Sequence, residues 1–489
     1  MTFSVTASFI LGPMPQTVLV IGAGISGLAA ALRLSSGANV SKVILLEASG
    51  HIGGWLQTTR TQEGAIFEHG PRGVRPAGIV GRNTLQMVSD LGLDSDVLPV
   101  TYRDVASKNR YLFVGGKLCK LPSSFMSAFV TRPPFTQPII SSLLREPFIR
   151  RGTHQDESVH SFVTRRFGKE LAEIAIDSLC RGIFAGDSRE LSVRSCFPLL
   201  FQAERTFGSV LIGMIAGGGG ASKGPRFTSR LIGRAKEERW AQWSLKQGMQ
   251  TLPEAMQQEL RSRRVEIHRN SPVHRLQRTS DGGWEVQFDG GTLKVGHIFS
   301  SVPAKVLSGM LPPSCAALCE SLRKIGSVSV TVVNLEYEGL VLPVTGFGHL
   351  VPSGESSEIL GVVYDSCSFP QQDRAGPPTT RLTVMMGGSW FQEAFGDPET
   401  VAQDDLLQRA TQAVQNHLGI TQKPLKTIIK VQKDCIPQYT LGHSKHLDTI
   451  FGYIDDRQLP LSLIGASYRG VSVNDCIHEA QRAVDRLRG

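Results

Sequence analysis

Three glycines and one acid are the first residues in this chain whose types and spacing could do chemistry. Gly22, Gly24 and Gly27 fit G-x-G-x-x-G, and Glu47 follows the third glycine by 20 residues. Such a loop can hold a pyrophosphate. Gly22 would allow the tight turn, Gly24 would let the backbone approach the phosphates, and Gly27 would let a helix pack closely on a strand. Ala23, Ile25 and Ser26 belong to the same loop, at a helix N-terminus whose N–H groups and positive dipole end suit an anion. Glu47, followed by Ala48, would accept hydrogen bonds from ribose hydroxyls and repel a 2′-phosphate, which argues against NADP. No Ser/His/Asp arrangement and no metal-ligand spacing stands beside this loop, so no catalytic side chain and no metal ligand is nominated.

The elements needed to position these residues can be read around them. "TVLVI" (17–21) predicts a short buried strand, "SGLAAALRL" a helix, and "KVILLE" (42–47) a second buried strand ending in the acid. The first charged residue of the chain is Arg33. Residues 1–16 carry no positive charge, so neither a secretory leader nor an arginine-rich presequence is visible. A targeting address, if one is needed, is expected elsewhere. No later apolar run is long enough to span a bilayer. With 489 residues, two or three domains are expected. The eight cysteines form no C-x-x-C pair, which predicts reduced and mostly buried thiols.

A second glycine pair, Gly53-Gly54, follows Glu47 by a short loop and is followed by Trp55. With "FEHGPRGVRP" (67–76), this extended motif resembles the FAD-dependent amine oxidase and phytoene desaturase superfamily. The resemblance implies non-covalent FAD, with Gly54, Trp55, Gly70, Pro71, Arg72 and Gly73 against the flavin and Val273 beside the adenine through its backbone. The far end of the chain, "LPLSLIGASYRGVSVNDCIHEAQRAVDRL", reads as strand, glycine turn and helix. There Gly465, Ala466, Gly470 and the backbone of Val471, Ser472 and Val473 would aim a helix N-terminus at the flavin. In that superfamily this dipole stabilises the reduced ring.

A nucleotide site built from both termini requires an insertion between them. We expect an α/β (α+β overall) architecture. It has a Rossmann-type FAD-binding domain (1–90, 245–305 and 431–489), an inserted mixed-sheet substrate domain (306–430) and a mainly helical, membrane-associating segment (91–220), with 221–244 adding a helix and loop. "RVEIHRNSPVHRLQRTSDGGWEVQFDGGTLKV" predicts three antiparallel strands, and "HIFSSVPA" the final strand of the nucleotide domain. "AGGGGASKGPR" (216–226) predicts an exposed loop. The net charge is +9, and residues 103–151 hold nine basic residues against Asp104 and Glu146. Within them, "LPSSFMSAFVTRPPFTQPIISSLLREPFIRR" interleaves apolar side chains with prolines and arginines, a pattern suited to shallow insertion among anionic headgroups. No nucleic-acid-binding module accompanies the charge.

Several longer stretches, "GPRGVRPAG", "NRYLFVGGKL", "DSLCRGIFAGDSRELSVRSCFP", "GFGHLVPS", "CIPQYTLGH" and "GASYRGVSVNDCI", are similar to the protoporphyrinogen oxidases of the animal mitochondrial type. That resemblance covers nearly the whole chain. It implies oxidation of protoporphyrinogen IX by FAD and O2, the penultimate step of haem synthesis. It assigns Arg110 to a substrate propionate, with Gly182, Phe184, Leu350 and Met385 lining the macrocycle. It further implies a homodimer on the outer face of the inner mitochondrial membrane, with ferrochelatase, the next enzyme of the pathway, as a partner. Two other readings stay open: another flavin oxidase or desaturase of the superfamily, and a non-catalytic protein like the GDP-dissociation inhibitors.

Overall fold

The computed structural model describes residues 17–37, 40–122, 129–217 and 227–488. The predicted loop at 216–226 begins inside the helix Val210–Gly217, and the rest of it, 218–226, lies outside the described residues, as does part of the basic apolar segment, 123–128. Five parallel strands form the sheet that carries the glycine loop, in the order Leu461–Leu463, His297–Ser300, Thr17–Ile21, Lys42–Leu46, Glu266–His268. Its strands come from three separated stretches of chain. His297–Ser300 is therefore not the final strand expected from sequence: it pairs with Thr17–Ile21 on one side and Leu461–Leu463 on the other.

The charge-free opening has a packing reason. Thr17–Ile21 is a central strand, and every residue from Ser26 to Leu32 in the helix Ile25–Ser35 is buried. That helix is enclosed by apolar residues of the helices Thr251–Ser262 and Val473–Arg488, including Met256, Ile477 and Ala480. A strand and helix covered on all sides read as one hydrophobic run. The opposite sheet face is covered by the antiparallel strands Val273–Arg278, Trp284–Phe288 and Gly291–Val295, with Leu276 and Trp284 in the core.

A second sheet of seven strands, largely antiparallel, runs Lys426–Pro437, Ser327–Glu338, Thr379–Gly388, Ile359–Tyr364, Gly348–Leu350, Tyr111–Val114, Lys117–Lys120. The helix Gln403–Leu418 closes one face through Leu406, Ala410 and Val414. The other face looks toward the nucleotide sheet.

Between residues 139 and 217 the chain is helical. Its core holds a buried charge network: Arg166 pairs with Glu146 at 3.1 Å and with Glu204, all three fully or almost fully buried. Glu146 also accepts from the N–H of Val210 at 2.8 Å, so it caps the apolar helix Val210–Gly217. Burial disfavours the charged form of Glu204, but donors on Arg165, Gly152 and Arg166 outweigh it and hold this carboxyl at about 2. We expect Glu204→Gln to leave Arg166 buried without enough compensation and to cost about 3–5 kcal/mol. Calorimetry should show a lower Tm. The wild-type contribution is present above the unfolded value of 4.5 and lost as pH falls through about 2, so the gap between wild type and variant should close in acid.

Candidate functional site

One cavity of about 950 Å3 runs from the glycine loop to the face of the seven-stranded sheet. Its first wall is the turn after Thr17–Ile21. Gly22 has φ +92°, and a Cβ on Gly27 would lie 1.9 Å from the Gly22 carbonyl oxygen. No side chain fits there. Gly53 donates its N–H to the Ala23 carbonyl at 2.8 Å, and a Cβ on Gly54 would stand 3.2 Å from Gly24 Cα. The two glycine motifs therefore pack backbone on backbone. Ser301 Oγ lies 2.9 Å from the carbonyl oxygens of Ile21 and Gly22, closing the turn from behind.

Glu47 lines the cavity at the end of its strand. One carboxylate oxygen accepts the Ala23 N–H at 2.7 Å, the other the Ser49 N–H at 2.9 Å. The Ser49 hydroxyl adds a third hydrogen bond at 2.8 Å, and a carboxylate has about four acceptor positions, so capacity remains for one ligand hydroxyl. Gly22, Gly24, Ile25, Ser26, Ala48, Gly54, Trp55 and Val273 share this end of the cavity. Ala23 and Gly27 do not line it: Ala23 contributes its backbone to Glu47, and Gly27 serves the helix–strand contact.

The middle of the cavity is formed by Gly70, Pro71, Arg72 and Gly73 on one side and Ala466, Val471 and Val473 on the other. Gly70 is compelled, since a Cβ there would meet the Trp55 carbonyl at 1.9 Å. Arg72 pairs with Asp365 at 2.7 Å, and both are largely buried. Its Nη2 is buried with no partner among the described residues. A buried cationic donor of this kind is normally satisfied, and a ligand in the cavity would supply the acceptor. Asp365 also accepts from Thr383 Oγ1 at 2.6 Å, Thr383 Oγ1 lies 2.8 Å from Asn334 Oδ1, and Asn334 Nδ2 lies 3.0 Å from His69 Nδ1. Burial, then the nearby Lys430 and Arg72 charges, pull His69 down to about 4, so it is neutral near pH 7. Burial pushes the adjoining Glu68 up to about 7, against hydrogen bonds from the Met249 N–H and Thr58. Ser472 stands outside the lining. It caps the helix Val473–Arg488 by accepting the Asp475 N–H at 3.2 Å.

At the far end the walls are apolar: Val330, Val332, Leu350, Leu360, Val362 and Met385 from the sheet, with Leu179, Gly182 and Ile183 from the helix Asp177–Phe184. Leu350 lies against Gly182, where a Cβ would stand 2.8 Å from Leu350 Cδ2. Arg110 reaches the cavity from the start of the strand Tyr111–Val114, 5.9 Å from the Phe347 ring centre. Phe184 is the departure among the expected substrate residues. It faces the helical core, edge-on to Phe197 at 5.9 Å, because its neighbour Ile183 takes the cavity side of the helix.

Sequence reasoning missed several contributors. Arg75, His69 and Gln432 line the cavity. Arg75 sits three residues after Arg72 in a stretch already singled out, so its signal was present. Asp365, Thr383 and Asn334 are scattered over 50 residues and carry no motif. Tyr439 also has none: its hydroxyl accepts the Gly470 N–H at 2.8 Å and donates to the Ala466 carbonyl, fixing the C-terminal glycine turn.

Comparison with known proteins agrees with this geometry. Residues 25–488 match the family of flavin containing amine oxidoreductases. The chain is 49% identical over 476 residues to protoporphyrinogen oxidase of Bos taurus, covering 97% of this chain and 99% of that one. It is 48% identical to the Homo sapiens enzyme of that name, with the same coverage. Among solved structures, a protein of Exiguobacterium sp. 255-15 superposes with a TM-score of 0.77 at 22% identity, covering 97% of this chain and 99% of that one. Cyclohexylamine oxidase from Brevibacterium oxydans IH-35A gives 0.67 at 15% identity, covering 97% and 98%. Likenesses at those identities show the fold alone.

The glycine cradle and the unpartnered Arg72 donor both fit FAD, so the geometry makes a specific demand at Gly24. A Cβ there meets only Gly54 Cα at 4.0 Å. Gly24→Ala should therefore fold as wild type, whereas Gly24→Asp should fold, place a carboxylate beside the pyrophosphate and lose the 450 nm absorption band.

Proposed function

The chain belongs to the flavin-containing amine oxidoreductases, and we propose that within that family it is an oxygen-dependent protoporphyrinogen oxidase of haem synthesis. The observation that carries this reading is the single cavity, polar and glycine-lined at one end and broad and apolar at the other. Protoporphyrinogen is a flat, apolar tetrapyrrole with two carboxylates, so its body suits the Val330–Val332–Leu350–Met385 wall and its charges suit arginine. Nearly full-length identity to enzymes named for this substrate supports the assignment.

Bound FAD would supply the hydride acceptor, which O2 reoxidises to give H2O2. Three rounds remove six electrons from the substrate. The work of this chain is binding and orientation. Glu47 would receive a ribose hydroxyl, and the N-terminal turn of the helix Ile25–Ser35 the pyrophosphate. Arg72 would donate Nη2 to the flavin, and the helix N-terminus at Val473 would face the electron-rich part of the ring. The sheet wall would hold a methylene bridge against the ring and keep water out. No side chain is assigned as a general base, because pyrrole N–H protons can leave by tautomerisation and His69 is engaged on both ring nitrogens, by Asn334 and Thr59.

The domain division that supports this reading assigns 1–90, 245–305 and 431–489 to FAD, 306–430 to substrate, and the helical part of 91–220 to a lipid surface. Among the described residues no single helix is long and apolar enough to cross a membrane. Leu144, Phe148, Leu199, Met214 and Ile215 are nevertheless exposed together with Arg145 and Arg150, with Arg205 half-buried, and Phe148 and Ile215 are 87% and 82% exposed. Apolar side chains ringed by cations favour peripheral binding to anionic headgroups. We place that surface at the mitochondrial inner membrane, on its intermembrane-space side, with the enzyme as a homodimer that passes product toward ferrochelatase.

Two measurements test these statements. Aerobic incubation with protoporphyrinogen IX should raise porphyrin fluorescence well above a protein-free control; equal rates would remove the assignment. Phe148→Asp with Ile215→Asp should retain flavin and reduce sedimentation with cardiolipin-containing vesicles at least tenfold; unchanged sedimentation would remove the membrane face.

A further inference from the structure

Four arginines line the cavity, Arg72, Arg75, Arg110 and Arg181. Two of them are committed elsewhere. Arg72 pairs with Asp365, and Arg181 is buried over the Trp390 ring with Nη2 on the carbonyls of Ser356 and Ile359. Arg75 and Arg110 are not. Among the described residues neither guanidinium has a hydrogen-bonding or ion-pair partner, and both are exposed where the cavity opens. Among the described residues the only acids lining the cavity are Glu47 and Asp434. Glu47 is held in the nucleotide turn by Ala23 and Ser49, and Asp434 lies on the strand Lys426–Pro437. Two neighbouring cations on an apolar cavity wall, with no acid set against them, are electrostatically incomplete until an anion arrives. Partial burial on the cavity wall, and then the charge of Arg75, pull the Arg110 guanidinium below its ordinary value.

Each arginine is fixed from a different part of the molecule. The Arg75 carbonyl accepts Asn474 Nδ2 at 2.9 Å, tying it to the helix Val473–Arg488 at the nucleotide end. Arg110 follows Asn109, whose carbonyl accepts the Phe347 N–H at 2.9 Å beside the seven-stranded sheet. A ligand touching both would bridge the two halves across the mouth.

Resting on the oxidase reading, we propose that Arg75 and Arg110 form a two-point clamp in which each guanidinium holds one of the substrate's two carboxylates. Those carboxylates are borne on adjacent pyrroles, along one edge of the macrocycle. Gripping both fixes that edge at the cavity mouth and sends the opposite, uncharged edge inward along Leu350 and Met385. One arginine alone would leave the ring free to pivot. Two remove that rotation, so Arg75 is a specificity-determining residue that selects which bridge carbon faces the flavin. The charge-assisted contacts this needs suit a guanidinium.

The test compares protoporphyrinogen IX with its dimethyl ester, which keeps the ring and removes both charges. Arg75→Gln should raise KM for the diacid about tenfold, leave KM for the ester as in wild type, and keep the 450 nm flavin band. The double variant Arg75→Gln/Arg110→Gln should lose about a hundredfold and treat diacid and ester alike. Arg75→Lys should recover part of the loss. Fluorescence titration with the oxidised porphyrin and its dimethyl ester gives Kd values without turnover and should follow the same order. An unchanged diacid Kd in Arg75→Gln, an equal loss on the ester, or a double variant no weaker than Arg110→Gln would overturn the clamp. Absence of turnover by wild type, with charge-dependent porphyrin binding intact, would instead overturn the oxidase reading and leave the clamp standing.

Discussion

Everything in this structure is arranged around a backbone contact that admits no side chain. Gly27 lies against the Gly22 carbonyl, and the Gly53–Gly54 turn lies against Gly24. Because these groups meet without intervening Cβ atoms, a strand, a helix and a second turn converge on one point. The rest of the chain is then drawn to that point by hydrogen bonds. Glu47 accepts from Ala23, Gly53 donates to Ala23, and Ser301 closes on Ile21 and Gly22. Gly465, 164 residues beyond Ser301, packs on the same Ser301 backbone. Three separated stretches of sequence thus become one phosphate-sized cradle.

The second constraint joins the cradle to the apolar half. Thr59, His69, Asn334, Thr383, Asp365 and Arg72 form a continuous, largely buried run of polar contacts between the 59–72 segment and two strands of the seven-stranded sheet. Buried polar groups are costly when partly satisfied and rigidifying when fully satisfied. In this chain one donor, Arg72 Nη2, is left over. The same network that ties the two halves together therefore leaves one buried donor on the cavity wall between them.

Much of the site was legible because its chemistry is carried by local spacing. The glycine loop, Glu47, Gly53-Gly54 and the 70–73 turn each occupy a few consecutive residues, and their strand and helix neighbours have clear periodicity. The part of the seven-stranded sheet from 327 onward was legible as strand-rich, but the hairpin Tyr111–Val114 and Lys117–Lys120 falls in a segment expected to be mainly helical, and the strand order depends on pairings between residues up to 238 apart. Phe184 shows the limit on helices: two adjacent apolar residues point opposite ways, and only packing against Phe197 decides which faces the cavity. Asp365 and Asn334 were illegible for another reason. Each is an ordinary polar residue in a strand-rich region, and its role exists only through a partner far away in sequence.

The central claim is that a reduced tetrapyrrole, held in this cavity, passes a hydride directly to the flavin. Anaerobic stopped-flow mixing of oxidised holoprotein with protoporphyrinogen IX tests that step without O2. The account predicts rapid bleaching at 450 nm and full return of the band when O2 is admitted. A flavin band that stays oxidised in the presence of saturating substrate would contradict it.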